Sequence, residues 1–123
     1  MKPSYRYEAE VLKVKDGDTI VVRIDLGFDT LVRQELRIAG INAAEVHTKN
    51  LAEKAIGLRG EQFVADWVSK HPVVIVETVA PKEKFGRYLA NVFGLDGEDL
   101  AAALVGAGLA KAWDGKGARP TFT

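Results

Sequence analysis

The sequence predicts an α+β protein that is mainly β. Five short strands and two helices are expected to follow one another in the order βββαββα. Near the N-terminus, three segments rich in β-branched residues are separated by turn signals. A helix-capping pattern then precedes a one-sided apolar stripe, and residues 73–78 form a nearly continuous β-branched run. With 123 residues, the chain is long enough for one core. We expect a single domain with its core at about residues 7–112 and a polar, Gly-rich tail at residues 113–123.

The first three strands are expected at residues 7–14, 19–24 and 31–39. Asp16 and Gly17 lie in the turn between the first two, where Gly17 accepts positive φ and Asp16 can bond its own turn. Asp16 is therefore interpreted first as a turn residue. Asp18 differs, because it begins the second strand, where an unpaired carboxylate has no turn to stabilise.

A helix is expected after the third strand, because Asn50 and Glu53 have the spacing of a capping box and an apolar stripe runs to about Ser69. Gly57 and Gly60 weaken its first half, which allows a start as late as Leu58. Strands at residues 73–78 and 87–93 follow, and a second helix begins after a possible cap at Asp99 and ends near residues 106–108. This order suits a five-stranded β-barrel of the OB type.

The composition excludes several classes of function. A formal net charge of zero argues against a non-specific polyanion binder, so any nucleic-acid site must be a local patch. The absence of cysteine excludes disulfides and zinc–thiolate sites, and two histidines do not favour a histidine-rich metal site. A metal bound by oxygen ligands remains. No apolar run has membrane length and the N-terminus lacks a signal-peptide core, so we expect an intracellular, cytoplasmic protein that does not bind membranes.

Residues 36–45 are where the chemistry is expected. Arg37 projects from one face of an extended segment, and Asn42 and Glu45 follow near its end. A guanidinium matches phosphate oxygens with paired donors, and amide and carboxylate oxygens are ligands that a hard cation prefers. This stretch predicts a phosphate site beside a divalent metal. Taken alone, it fits an amphipathic strand with an exposed arginine and an Asn-containing turn better.

Four sequence features in this order and spacing resemble the staphylococcal nuclease family over about residues 7–112. They are Asp16-Gly17-Asp18-Thr19, Arg37 followed eight residues later by Glu45, Lys84-Phe85-Gly86-Arg87, and residues 103–111. The resemblance implies an OB-fold, calcium-dependent phosphodiesterase that acts on DNA and RNA and yields 3′-phosphorylated products.

The resemblance also implies roles for individual residues. Arg37, Glu45 and Arg87 match catalytic positions, and Lys84 matches a lysine beside the nucleotide site. The calcium ligands match Asp18, the position of Asn42, and the backbone carbonyl of Ala43. Three residues depart from the staphylococcal enzyme: Asn42 replaces an aspartate, Ala44 a proline and Phe85 a tyrosine. The first of these predicts weaker calcium binding, because one negative charge is lost.

Two other interpretations remain open. A non-catalytic OB module that binds nucleic acid or protein would have no need to combine both arginines, Glu45 and Asp18. A glycosidase that uses Asp18 and Glu45 as its pair of catalytic carboxylates would have no role for the two arginines. Trp113 suits a base-stacking surface, although a tryptophan after a helix is more often at the edge of a core. We expect a monomer with DNA or RNA as substrate.

Overall fold

The computed structural model describes residues 4–79 and 87–122. In chain order, its elements are β1 (Arg6–Asp16), β2 (Thr19–Asp25), β3 (Leu31–Ile38), β4 (Ile41–Ala43), α1 (Leu51–Lys70), β5 (Val73–Val79), β6 (Tyr88–Gly94), α2 (Leu100–Gly106) and β7 (Ala110–Ala112). Among the described residues, no helix combines the length and the apolar character needed to cross a membrane.

Five strands close into a barrel in the order β1-β2-β3-β6-β5, and β5 pairs back onto β1. Strands β3 and β6 are parallel neighbours, whereas the other neighbouring strands are antiparallel. The predicted fold class, a five-stranded OB-type barrel with one helix after the third strand and another after the fifth barrel strand, is confirmed. The parallel contact between β3 and β6 places the end of β3 beside the start of β6.

The core fills the barrel and the space beneath the two helices. Alternating inward positions on β2, β5 and β6 are at most 9% exposed, as period-2 apolar patterning requires. The helices complete this core with Val64 and Trp67 of α1 and Leu100 and Leu104 of α2, each at most 5% exposed.

Helix α1 begins at Leu51, so the expectation that it could start as late as Leu58 is wrong. Asn50 caps it, because its side chain accepts a hydrogen bond from Glu53 N at 3.1 Å. Gly57 and Gly60 are both buried inside the helix. They weaken helix propensity, but they allow the helix to approach its neighbours closely.

A separate two-stranded sheet, β4 with β7, was not predicted. After β3 ends at Ile38, the chain turns through Gly40, whose φ of +82° suits glycine, and enters β4. Asn42 of β4 lies opposite Lys111 of β7. This sheet joins the end of the predicted chemical stretch to the C-terminal part of the chain.

Candidate active site

The carboxylate of Asp18 is the centre of a hydrogen-bonded group at one end of the barrel. Its Oδ2 accepts from the backbone N of Ala43 at 3.2 Å and lies 3.4 Å from Nη2 of Arg37, and its Oδ1 accepts from Oγ1 of Thr19 at 3.2 Å. The local turn is fixed by Asp16, whose Oδ1 accepts from Asp18 N at 3.0 Å. The Asp18 carboxylate is therefore held by residues of β2, β3 and β4, and its backbone N–H by the last residue of β1.

Two arginines reach this group from neighbouring strands. Arg37 is only 7% exposed and lies opposite Thr19 in the β2–β3 register. Arg87 directly precedes β6, and its Nη1 donates to Thr19 Oγ1 at 3.1 Å. Because β3 and β6 are adjacent and parallel, residues 50 positions apart in the chain present two guanidinium groups to the same place.

Glu45 lies just beyond β4 and is exposed. Its backbone N donates to Glu53 Oε2 of α1 at 2.9 Å, which fixes the loop against the helix. Its carboxylate Oε1 accepts from Nη1 of Arg119 at 3.1 Å. The C-terminal segment therefore contacts a predicted catalytic carboxylate.

These side chains surround one open cleft of about 280 Å³, whose walls are formed by Asp16, Asp18, Arg37, Ala43, Ala44, Glu45, Arg87 and Arg119. It brings together the three predicted catalytic residues and two of the three predicted metal-binding positions. Asn42 is 4% exposed and is absent from the wall; its Nδ2 donates to the carbonyl of Pro120 at 3.2 Å. Lys84 lies outside the described residues.

The cleft contains two charged residues, Asp16 and Arg119, that the sequence did not single out for chemistry. The position of Asp16, two residues before Asp18, was a visible signal for a place in the site. Its expected role in the turn was sufficient to explain the residue without one. Arg119 had none, because residues 113–122 are polar, Gly-rich and without helix or strand. Its position depends on contacts with residues more than 70 positions away in the chain.

The wall of the cleft combines three carboxyl groups with three arginines, so its formal charges balance. Partial burial, together with the neighbouring carboxyl group of Asp18, raises the pKa of Asp16 to about 6. Asp16, Asp18 and Glu45 place three carboxyl groups around the cleft. An all-oxygen set of this kind fits a hard divalent cation such as calcium better than a soft metal.

A second group of potential metal ligands lies elsewhere. The ligand atoms of His71, Asp96 and Glu98 are within 4.8 Å of one another, at the end of α1 and the turn after β6. His71 Nδ1 bonds the carbonyl of Trp67 at 2.9 Å, and this contact, followed by Asp96, raises the pKa of His71. None of the three residues forms a wall of the cleft. The group therefore does not contribute to the predicted phosphate and metal site.

Comparisons with known proteins identify the family of this sequence. The model of the family described as staphylococcal nuclease homologue matches residues 35–121, which include Arg37, Glu45, Arg87 and Arg119. An uncharacterized protein of Methanocaldococcus jannaschii is 27% identical over 105 residues, covering 71% of this chain and 48% of that protein. The chain thus spans about half the length of this curated relative. Since the family match extends over well more than half of the sequence, the chain belongs to the staphylococcal nuclease homologue family.

Proposed function

We propose that the protein is a calcium-dependent nuclease that hydrolyses phosphodiester bonds of DNA or RNA and leaves 3′-phosphorylated products. The observation that carries the proposal is the convergence of Arg37 and Arg87 on the cleft that also contains Asp18 and Glu45. Family membership supports the reaction class. The proposed roles follow from the charge that must be stabilised when water attacks a phosphate.

The two arginines would bind the non-bridging oxygens of the scissile phosphate. These oxygens gain negative charge in the transition state, and fixed guanidinium donors in a partly enclosed cleft stabilise that charge without large reorganisation. Arg37 is preorganised by its contacts with Asp18 and with the carbonyl of Ile38 at 3.3 Å. Arg87 is preorganised by Thr19.

Asp18 and the backbone carbonyl of Ala43 would hold calcium. Asn42 is absent from the cleft wall and donates through Nδ2 to Pro120, and its Oδ1 atom is proposed as a further ligand. An ion held there would supply Lewis-acid polarisation of the phosphate. Glu45 would orient the attacking water and accept its proton as the new P–O bond forms. The P–O5′ bond then breaks, the 5′-oxygen takes up a proton from solvent water and leaves as a hydroxyl, and the 3′-phosphate remains.

The test is release of acid-soluble nucleotides from single-stranded DNA with calcium and with excess chelator. We expect calcium-dependent release that falls in Glu45→Gln on the order of 10²-fold or more, because the charge that activates water is lost. Arg23→Ala is a matched preparation control, since Arg23 pairs with Glu10 on the surface and forms no wall of the cleft. Binding of DNA without any release would refute the nuclease proposal and favour a non-catalytic module.

A further inference from the structure

The C-terminal segment of residues 113–122 folds back onto the cleft. The backbone N of Trp113 donates to the carbonyl of Gly40 at 2.9 Å, and Asn42 Nδ2 donates to the carbonyl of Pro120 at 3.2 Å. Lys111 Nζ donates to the carbonyl of Thr121. The segment is thus fastened near both ends to β4, β7 and the turn before β4.

This fastening carries Arg119 into the cleft. Its Nη1 lies 3.1 Å from Glu45 Oε1, and its guanidinium carbon lies 5.5 Å from the centre of the Trp113 ring. The guanidinium carbon of Arg37 lies 5.9 Å from the same ring centre. Trp113 therefore connects Arg119 with one of the two arginines assigned to the scissile phosphate.

The contact between Arg119 and Glu45 is suited to exchange. Both side chains are 53% exposed, and an ion pair of this exposure contributes little to stability because water competes for both charges. A phosphodiester oxygen offers Arg119 a charge-assisted bond of the same kind, with the paired donor geometry that guanidinium favours. Release of Glu45 would at the same time make its carboxylate available to water.

We propose that Arg119 is a substrate-binding residue that holds a backbone phosphate of single-stranded nucleic acid next to the scissile one, exchanging Glu45 for that phosphate as the strand enters. The inference rests on the proposed function for the identity of the cleft and adds the C-terminal segment to its substrate-binding surface. Arg119 acts on binding of the strand, whereas Arg37 and Arg87 act on the reacting phosphate.

Two measurements on the full chain test this role. Binding of a fluorescent single-stranded DNA is measured by anisotropy in chelator over a salt series, and kcat and KM are measured with calcium. We expect Arg119→Ala to weaken binding on the order of tenfold and to lower the slope of log affinity against log salt by about 0.7, the value for one phosphate contact on a single strand. KM should rise while kcat stays within about twofold, because the contact is to a non-reacting phosphate.

Two further variants sharpen the result. Arg119→Lys keeps the charge and should retain most of the salt slope. Arg23→Ala removes an arginine from an ion pair of similar exposure, Arg23 Nη2 to Glu10 Oε1 at 2.7 Å, away from the cleft. It should leave binding unchanged, and equal thermal unfolding midpoints for all the variants establish that they are folded.

Several outcomes would overturn the inference. If Arg119→Ala bound single-stranded DNA as tightly as Arg23→Ala, the proposed contact between Arg119 and a phosphate would be refuted. A higher kcat/KM in Arg119→Ala would make Arg119 a block on the site, and a fall in kcat alone would make it a positioning residue for Glu45. Arg119-dependent binding without cleavage would sustain the inference and refute the nuclease proposal. Cleavage with the same kcat and KM in Arg119→Ala as in the parent would sustain the nuclease proposal and refute the inference.

Discussion

Gly57 of α1 lies directly against the backbone carbonyl of Glu45. A Cβ atom at position 57 would lie 2.6 Å from that carbonyl oxygen and 2.8 Å from its carbon. Glu53, one turn earlier on the helix, accepts the backbone N–H of the same residue. The first half of α1 therefore supports the loop that carries Glu45, and a glycine that is poor for the helix permits this contact.

Replacement of Gly57 by alanine should destabilise the protein, although the same change inside an unobstructed helix stabilises by about 0.5–1 kcal/mol. The clash is with backbone, so either α1 or the Glu45 loop must move, at a cost of roughly 1–3 kcal/mol. Displacement of Glu45 should also lower kcat. Urea unfolding and nucleotide release check the two effects.

Gly106→Ala is the matched control for Gly57→Ala. Position 106 ends α2, and a Cβ atom there would meet no other atom within 4 Å. This variant should keep or slightly raise the parental stability, because nothing obstructs the added Cβ, and should keep the parental activity. If Gly57→Ala behaved in the same way, the loop that carries Glu45 would not depend on close contact with α1.

Much of the barrel could be predicted because its signals are local. The β-branched run of β5 and the turn signal after β1 are visible within a few residues. The turn itself is Gly17-Asp18, with Asp16 as the last residue of β1, and the expected positive φ at Gly17 is wrong. The β4–β7 pair could not be predicted from local signals. Strands of three residues are too short to show a periodic pattern, and Asn42 pairs with Lys111, which is far away in the sequence. For the site, Arg37 and Glu45 could be selected from the residues of one short stretch, and Asp18 and Arg87 from the resemblance to the family. Arg119 could not, because only the long-range anchors at Gly40 and Asn42 determine where its segment lies.

Arg87→Lys should lower kcat on the order of 10²-fold while leaving the protein folded, because lysine keeps the charge but loses the paired donors that match two phosphate oxygens. Steady-state hydrolysis of single-stranded DNA with saturating calcium measures the effect, and Arg23→Lys is its control. If Arg87→Lys kept the parental kcat, a positive charge at this position would be sufficient. If Arg87→Ala also kept the parental kcat, the assignment of Arg87 to the phosphate site would be wrong.

Asp16 should make the metal-free protein less stable as pH rises toward neutrality. Its pKa is raised from 3.8 to about 6 by burial and by Asp18, so the folded state binds more protons than the unfolded state between these values. The corresponding stability is fully present below pH 3.8 and is lost as pH rises through about 6. Asp16→Asn keeps an oxygen for the Asp18 backbone N–H and removes the titration. In chelator at pH 7, urea unfolding should show this variant to be more stable than the parent; equal or lower stability would contradict the unfavourable charge.

We expect His71, which is remote from the cleft, to cause a second dependence of stability on pH. Its pKa is raised above 6.5, first by the bond to the carbonyl of Trp67 and then by Asp96. The stability that it contributes is fully present below pH 6.5 and is lost as pH rises through the folded-state pKa. Urea unfolding from pH 5.5 to 8.5 should show a fall in the parent that is smaller in His71→Gln. His47→Gln, at an exposed loop position outside the group of His71, Asp96 and Glu98, is the control for replacing a histidine by glutamine.

The final prediction concerns Asn42, whose amide can serve two neighbours at once. Its Nδ2 donates to the carbonyl of Pro120, which anchors the segment that carries Arg119, and its Oδ1 is the atom proposed to bind calcium. An aspartate at position 42 would add a negative charge at the metal but would have no N–H for Pro120. Asn42→Asp should therefore tighten calcium binding and weaken the attachment of the C-terminal segment.

These two effects of Asn42→Asp can be measured separately. Calcium titration in the presence of a nucleotide inhibitor should give an affinity higher on the order of tenfold, since carboxylates are stronger calcium ligands than amides. Anisotropy with single-stranded DNA in chelator should give weaker binding, because Arg119 is no longer held in the cleft. Asn50→Asp adds the same charge at the α1 cap, where aspartate also caps well, and should change neither value by a comparable amount. Unchanged calcium affinity in Asn42→Asp would place Asn42 outside the metal site, whereas unchanged DNA binding would mean that the Pro120 bond does not position Arg119.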